Sequence, residues 1–297
     1  MASIRQILQR KRAVANIRKV TKTMEMISTS RYRQYFEMWQ SGQKFYNYLA
    51  ELAYLMLTSE KKIEHPLMQE NESGNLAILV IGANRGLCGG FNSALNHMIE
   101  VHIKRAKRLR KKLVVYVSGK KAAAFLRHKG VKVKKEFSDF EEMPSGRQSD
   151  DMADEFMNLY INGEIDYFGI VHTRFFSVAS QKPQTLTILP VSELIDDLTT
   201  RSTVIWPWSC EAGEFELEPD LNQMFEGMVQ MMLRTAVSGC FVDSVLSEYL
   251  ARVVAMKSAT DNAEDMIQAL NSQYNSARQN KITTELTDIV SGVEALG

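Results

Sequence analysis

Residues 3–33 read SIRQILQRKRAVANIRKVTKTMEMISTSRYR. Ser3 is placed to cap a helix N-terminus. Apolar residues then return at threes and fours, at Ile7, Val14, Ile17, Val20, Met24 and Ile27. The stripe continues through Tyr35, Trp39, Phe45, Tyr46 and Leu49 to Leu52, Leu55 and Met56, with Gly42 as its weak point. The chain has six prolines, the first Pro66 and the last Pro219. A proline inside a helix costs roughly 3 kcal/mol. Two long proline-free ends around a proline-containing middle therefore predict two long helices. The first, from Ile4 to Leu57, would be roughly 80 Å long at the rise of an α-helix.

The other end reads alike. Pro219 suits a helix start, and Glu216, Glu218 and Asp220 suit its positive end. The stripe runs Leu221, Met224, Met228 and Met231, then Val242, Val245, Tyr249, Val253 and Met256. It goes on through Met266, Leu270, Tyr274 and Ala277 to Leu286 and Ile289. Gly227 and Gly239 loosen the early part, and Gly292 is a natural stop. Each stripe needs a cover. The nearest cover is the other terminal helix, which predicts an antiparallel coiled-coil hairpin. Arg10, Thr21 and Ser28 fall in or near the seam, so the winding should be loose and other chains should cover part of the surface.

Between these ends, strand and helix patterns alternate. Leu76–Ile81 is a continuous apolar run of the kind found in buried strands. Asn92–Arg108 reads as a helix, Leu113–Val117 as a strand, Lys120–His128 as a helix and Val131–Phe137 as a more polar strand. Gln148–Asn162 reads as a helix, with Tyr167–Thr173 and Leu186–Pro190 as further strands. That order predicts a Rossmann-like α/β domain with a mostly parallel sheet. The expected fold class is thus α/β plus a long coiled coil. Its expected divisions are residues 1–60 and 219–297 for the helices, 74–192 for the α/β domain and 193–218 for a connecting segment.

Composition narrows the function. A net charge of +1 argues against overall attraction to nucleic acid or membrane, although the first helix carries nine basic residues against Glu25 between Ser3 and Arg33. Cys88, Cys210 and Cys240 are too scattered for a disulfide framework or a zinc site. No run of about 18 apolar residues is present to span a bilayer.

The turn Gly86-Leu87-Cys88-Gly89-Gly90 follows a strand and opens a helix, where dinucleotide folds bind phosphate. It matches neither G-x-G-x-x-G nor a P-loop. The preferred reading is a tight structural turn with close strand–helix packing and a small buried Cys88. His97 and His102 are five apart and do not share a helix face. Asp150, Asp151, Asp154 and Glu155 read as a helix start and a solvated face. The basic arm could meet nucleic-acid phosphates or acidic protein, but no ring precedes Tyr32 for stacking. Met24 and Met26 suit an adaptable protein interface.

Three segments carry a resemblance. IRKVTKTMEM at Ile17–Met26 resembles the N-terminal signature of the F-type ATP synthase gamma subunit family, and RGLCGGFN at Arg85–Asn92 resembles that family's central motif. AMKSATDNA at Ala255–Ala263, YNSARQ at Tyr274–Gln279, Ile282-Thr283 and ELTDIVSG at Glu285–Gly292 resemble its C-terminal signature. Order and spacing agree over nearly the whole chain.

The resemblance implies a central-stalk rotor, coupled to protons or sodium, that transmits torque between a membrane c-ring and a catalytic ring of alpha and beta subunits. It implies the epsilon subunit as a further partner, with no nucleic acid, no direct small-molecule substrate, no cofactor and no active site on this chain. It implies a peripheral position on the cytoplasmic face of a bacterial inner membrane, with the mitochondrial matrix side as the alternative. It carries Arg278, Gln279 and Thr283 over as contacts to a catalytic-subunit loop, and Lys22, Met24, Glu25, Met26 and Arg252 as contact or coupling positions.

Asn84 stands where the family commonly has Asp, Lys281 where a small residue is usual, and Val253 where Met is frequent; Trp206-Pro207-Trp208 is unusual. The competing readings are a basic helical hairpin that binds nucleic acid and a nucleotide-dependent enzyme using the Gly86–Gly90 turn.

Overall fold

The computed structural model describes residues 3–57, 65–201 and 221–294. The chain divides into two compact units: residues 1–30 with 252–297, and residues 31–251. Both long helices are present, α1 over Ile4–Leu57 and α6 over Leu221–Glu294. Gly42, Gly227, Gly239 and Gly292 all lie within unbroken helix, so Gly292 is not the stop expected of it. An isolated glycine costs a helix only about 1 kcal/mol, which the neighbouring turns absorb. The expected start at Pro219, Trp206-Pro207-Trp208 and Cys210 lie outside the described residues.

In the first unit the two helices pair antiparallel. Thr260 Oγ1 donates to Thr21 Oγ1 at 2.8 Å, and three residues back on α1, four on along α6, Arg18 meets Glu264 at 3.2 Å. Ile7, Thr21 and Ser28 are buried and Val14 half-buried, a seven-residue repeat. On α6 the repeat is carried by Met256 and Ala263, both buried, then by half-buried Leu270 and Ala277. The expected stripe is therefore corrected. The seam is a true heptad line with Thr21 and Ser28 in it as expected, while Arg10 is exposed and Ile17, Val20 and Ile27 are more than half exposed.

In the second unit five strands form one sheet in the order β3-β2-β1-β4-β5. They are β1 (Asn75–Ile81), β2 (Lys112–Ser118), β3 (Val133–Phe137), β4 (Tyr167–Ser177) and β5 (Ser180–Leu189). The first four in that order run parallel, and β5 pairs antiparallel with β4. The hairpin is longer than the sequence pattern suggests. Polar Ser180–Gln184 and Pro183 disguise a strand that survives because it is the outermost one.

Alternation explains the apolar run of β1. Ala77, Leu79 and Ile81 face one core, and Ile78 and Val80 face another. The second core is closed by α2 (Phe91–Leu109) and α3 (Lys120–His128), through Leu95, Ile99, Ala123 and Leu126. The first is closed by α4 (Gly146–Ile161), α5 (Val191–Arg201) and the α1 and α6 segments of this unit. Helix α4 starts with a capping box between Ser145 and Gln148, two residues earlier than its acids suggest. Two of those acids are engaged: Asp154 takes a bidentate pair from Arg234 at 3.1 and 3.0 Å, and Glu155 pairs with Lys135.

Helix approach here depends on glycine. A Cβ on Gly239 would lie 1.5 Å from the Tyr46 hydroxyl, which donates to the Thr235 carbonyl. A Cβ on Gly227 would meet nothing within 4 Å. We predict opposite effects on thermal unfolding of the full chain followed by circular dichroism. Gly239→Ala should destabilise by about 1–3 kcal/mol or more, and Gly227→Ala should stabilise by about 1 kcal/mol. Equal shifts would refute the close approach.

His102 supplies a second test. Its ring is buried under β5, with Nε2 2.6 Å from Thr185 Oγ1. Burial, aided by Arg105, lowers its pKa from 6.5 to about 4. Between those values the unfolded chain takes up a proton that the folded chain refuses. The stability from a neutral ring is thus whole above pH 6.5 and lost as pH falls towards 4. It amounts to at most about 3 kcal/mol. His102→Gln should flatten the pH dependence of unfolding in that window, and an unchanged slope would count against it.

Candidate functional site

The candidate contact residues of the first unit differ in exposure and in what their side chains already do. Lys22 is exposed and reaches Glu25 at 3.1 Å, one turn along the same helix. The Glu25 carboxylate is mostly covered, Met24 is half-buried, and Met26 is 65% exposed. Arg252 is different, being only 5% exposed. It belongs to the internal packing of this chain and not to the outer face.

Arg278, Gln279 and Thr283 are all exposed. From Arg278 to Ser291 every residue of α6 is exposed. Ile282, Leu286, Ile289 and Val290 follow Arg278 at helical spacing, so one side of this segment is apolar. Its hydroxyls are turned in. Thr283 donates to the Gln279 carbonyl at 3.0 Å, Thr284 to Asn280 at 2.9 Å and Thr287 to Thr283 at 2.9 Å. Lys281 pairs with Glu285 at 3.5 Å, which accommodates that departure on an exposed face.

The glycine turn belongs to the second unit. Leu87 and Gly89 have φ of 64° and 55°, so the backbone enters the left-handed region twice within three residues. Cys88 is buried with Ala83 and Phe91, against Ala251 of α6. Its Sγ accepts from Asn92 Nδ2 at 3.1 Å. A small buried thiol was the expectation, and it holds. At Gly86 and Gly90 there is room: added Cβ atoms would meet only Lys121 Cε, at 3.9 Å, from Gly86 and nothing within 4 Å from Gly90. The tight approach lies at Gly82 and Gly119 instead. A Cβ on Gly119, whose φ is +105°, would sit 2.1 Å from the Gly82 carbonyl oxygen.

Asn84 has a physical account. Its amide donates to the Glu141 carbonyl at 2.5 Å while its oxygen accepts from the Lys120 N–H at 3.1 Å. A carboxylate could make only the second bond. His97 is exposed whereas His102 is buried, so the two do not converge.

Two polar clusters of the second unit escaped the sequence. The Glu142 carboxylate accepts from both Tyr35, at 2.9 Å, and Tyr249, whose rings stack with centroids 5.8 Å apart. Burial, then the Glu142 bond, pushes the Tyr35 pKa up to about 12. The other cluster borders a cavity of about 410 Å³. The Trp39 indole donates to Asp243 Oδ1 at 2.8 Å, and His172 Nε2 lies 3.7 Å from Asp243 Oδ2. Burial works against charge on His172, but Cys240 and Asp243 outweigh it and raise the pKa from 6.5 to about 10. Asp243 thus ties a ring on α1 to one on β4. The residues lie far apart in sequence, so no local motif signals them.

Comparison with known proteins agrees with the geometry. The family model described as ATP synthase matches residues 3–296. ATP synthase gamma chains of Rhodopirellula baltica and Leptospira biflexa are 32% and 34% identical over 297 residues. The alignments cover all of this chain and 99% and 100% of those. Among solved structures, a chain of the Euglena gracilis mitochondrial ATP synthase, resolved with OSCP, F1 and c-ring, superposes with a TM-score of 0.66 at 20% identity. The match covers 99% of this chain and 94% of that one. A chain of the rotor from the same organism gives 0.61, again at 20% identity, covering 94% and 98%. Paired terminal helices and a mostly parallel sheet in one chain are therefore the fold of an ATP synthase central stalk, and this chain belongs to the ATP synthase gamma-chain family.

Proposed function

We propose that the chain is the rotor shaft of a proton- or sodium-coupled ATP synthase, transmitting torque between the membrane c-ring and the alpha/beta catalytic ring. On this reading it has no active site of its own. The observation that carries it is the segment Arg278–Ser291, exposed on every side, apolar along one and with its threonine hydroxyls satisfied internally. Such a surface can lie in an apolar collar without being held at one angle. A shaft must avoid a deep anchoring contact, because a tightly bound angle would trap rotation.

Functionally we divide the chain into shaft segments 1–60 and 219–297, a foot at 74–192 and a connection at 193–218. Arg278, Gln279 and Thr283 act as intermittent contacts to a catalytic-subunit loop. Lys22, Met24, Glu25 and Met26 form a second contact region on α1, beside the exposed Ile17, Val20 and Ile27. Arg252 acts as a coupling position, through packing within the chain. The Gly86–Gly90 turn is structural: it buries Cys88 and holds Leu87 out, 61% exposed. The epsilon subunit and c-ring engage the foot. Coupling is then a difference in the shaft's affinity for successive states of the ring. The chain would sit as a peripheral component on the cytoplasmic face of a bacterial inner membrane. No helix among the described residues is long and apolar enough to cross a membrane.

Reconstitution with alpha and beta subunits tests the assignment. The chain should co-purify with them and raise ATP hydrolysis above that of alpha and beta alone; failure on both counts would end the rotor reading. Arg278→Ala with Gln279→Ala should lower the ATPase rate of the complex about tenfold, the scale of one or two lost polar contacts. Helicity of the isolated chain should stay unchanged. Full activity would show that this contact does not operate.

A further inference from the structure

One stretch outside the shaft is far from the chain's near-neutral average. Between Lys104 and Lys135 there are fourteen lysines and arginines and no acid. The fold gathers many of them at one place. Helices α2 and α3 both end where the parallel strands begin, and Lys112 at the start of β2 donates its N–H to the Gly74 carbonyl just before β1. Helix C-termini attract cations, which accounts for Lys107 and Arg108 on α2 and for Arg127 on α3. It also covers Arg110, the C-cap of α2, but not Lys104, Lys112 and Lys132.

Neutralisation from within the chain is partial. Lys111, Lys129, Arg127 and Lys135 pair with Asp166, Glu100, Glu136 and Glu155. Lys104, Lys107, Arg108, Arg110, Lys112 and Lys132 are exposed, and none is in an ion pair among the described residues. The exposed acids Glu72 and Glu164 precede β1 and β4, and Glu164 is within electrostatic reach of Lys134 on β3. Six like charges are held together at a cost in mutual repulsion, which a negative partner would relieve.

We propose that this corner of the α/β domain binds the anionic headgroups of a phospholipid surface. The charges are scattered over two helix ends and two strand starts, and between Lys104 and Lys135 no phenyl, phenol or indole ring is exposed for a nucleic-acid base to stack on. Among them stands an exposed leucine, Leu109, placed to enter the headgroup layer once the flanking charges dock. A fluid array of headgroups adapts to such scatter, and each basic residue near an anionic membrane adds about fivefold to binding. The proposal stands on the charge pattern and does not depend on the rotor reading, because vesicles contain no other subunit.

The test is flotation of the full chain with vesicles of phosphatidylcholine alone and of phosphatidylcholine mixed with phosphatidylglycerol. Binding is expected only to the mixed vesicles, weakening as salt rises. Lys107→Glu, Arg108→Glu and Arg110→Glu together should reduce it by about a hundredfold or more. The glutamine triple variant, checked for unchanged helicity, should reduce it less and guards against misfolding. Reversing Arg10, Lys11 and Arg12 in the first helix should leave most of the binding intact. Three results would overturn the proposal. They are no preference for anionic vesicles, loss of binding through the first-helix variant alone, or binding of the corner to polyglutamate or single-stranded RNA but not to vesicles.

Discussion

Helix α6 must find a different partner for each part of its length, and the rest of the molecule follows from how it does so. Its residues up to Ala251 are mostly buried, between the sheet, α4 and α1 within one compact unit. From Met256 to Ala277 the main covered line of side chains advances at alternating steps of four and three. Beyond that nothing among the described residues covers it. The sequence changes to match. Phe225, Val229, Met232, Leu233, Val237 and Phe241 give way to Met256, Thr260 and Ala263, and then to exposed charges, threonines and isolated aliphatics. A helix uniform in composition would either expose a sticky surface at one end or fail to build a core at the other.

The paired section shows a second economy. A seam that sets Thr21, Ser28, Thr260 and Ala263 beside Ile7 and Met256 buries less apolar area than an all-aliphatic one, so its hydrophobic contribution is modest. Direction and register come from the Thr21–Thr260 hydrogen bond and the exposed Arg18–Glu264 pair. Small seam residues also leave the larger aliphatics for the outer face. That arrangement leaves an aliphatic surface on the outside of the pair.

Much of this was legible in the sequence. Proline placement revealed both helices, the apolar runs revealed the central strands, and their order gave a parallel sheet. The misreadings have physical sources. Ile17, Val20 and Ile27 imitate a core stripe because exposed aliphatics at helical spacing give the same periodicity as buried ones. Thr21 and Ser28 do lie in the seam, as their positions suggest, but hydroxyls there hide its strict seven-residue spacing. Ser180–Gln184 hides an edge strand, since an outer strand needs neither apolar alternation nor freedom from proline. The resemblance supplied the candidate contact residues, but it could not separate exposed Arg278 from buried Arg252. The Trp39–Asp243–His172 and Tyr35–Glu142–Tyr249 clusters were invisible because each joins elements that only folding brings together.

The threonines of the exposed end carry a mechanical consequence. The resistance of a rod to bending rises steeply with its thickness, so a single helix is much softer than two packed side by side. Hydroxyls that bond back to the preceding turn soften it further, because they compete for the carbonyls that keep a helix straight. The stretch with Thr283, Thr284 and Thr287 is therefore an elastic end joined to a stiffer section. A sideways load on it is taken up first as curvature of that end, stored and returned like the flex of a spring, before it can disturb the register of Thr21 on Thr260.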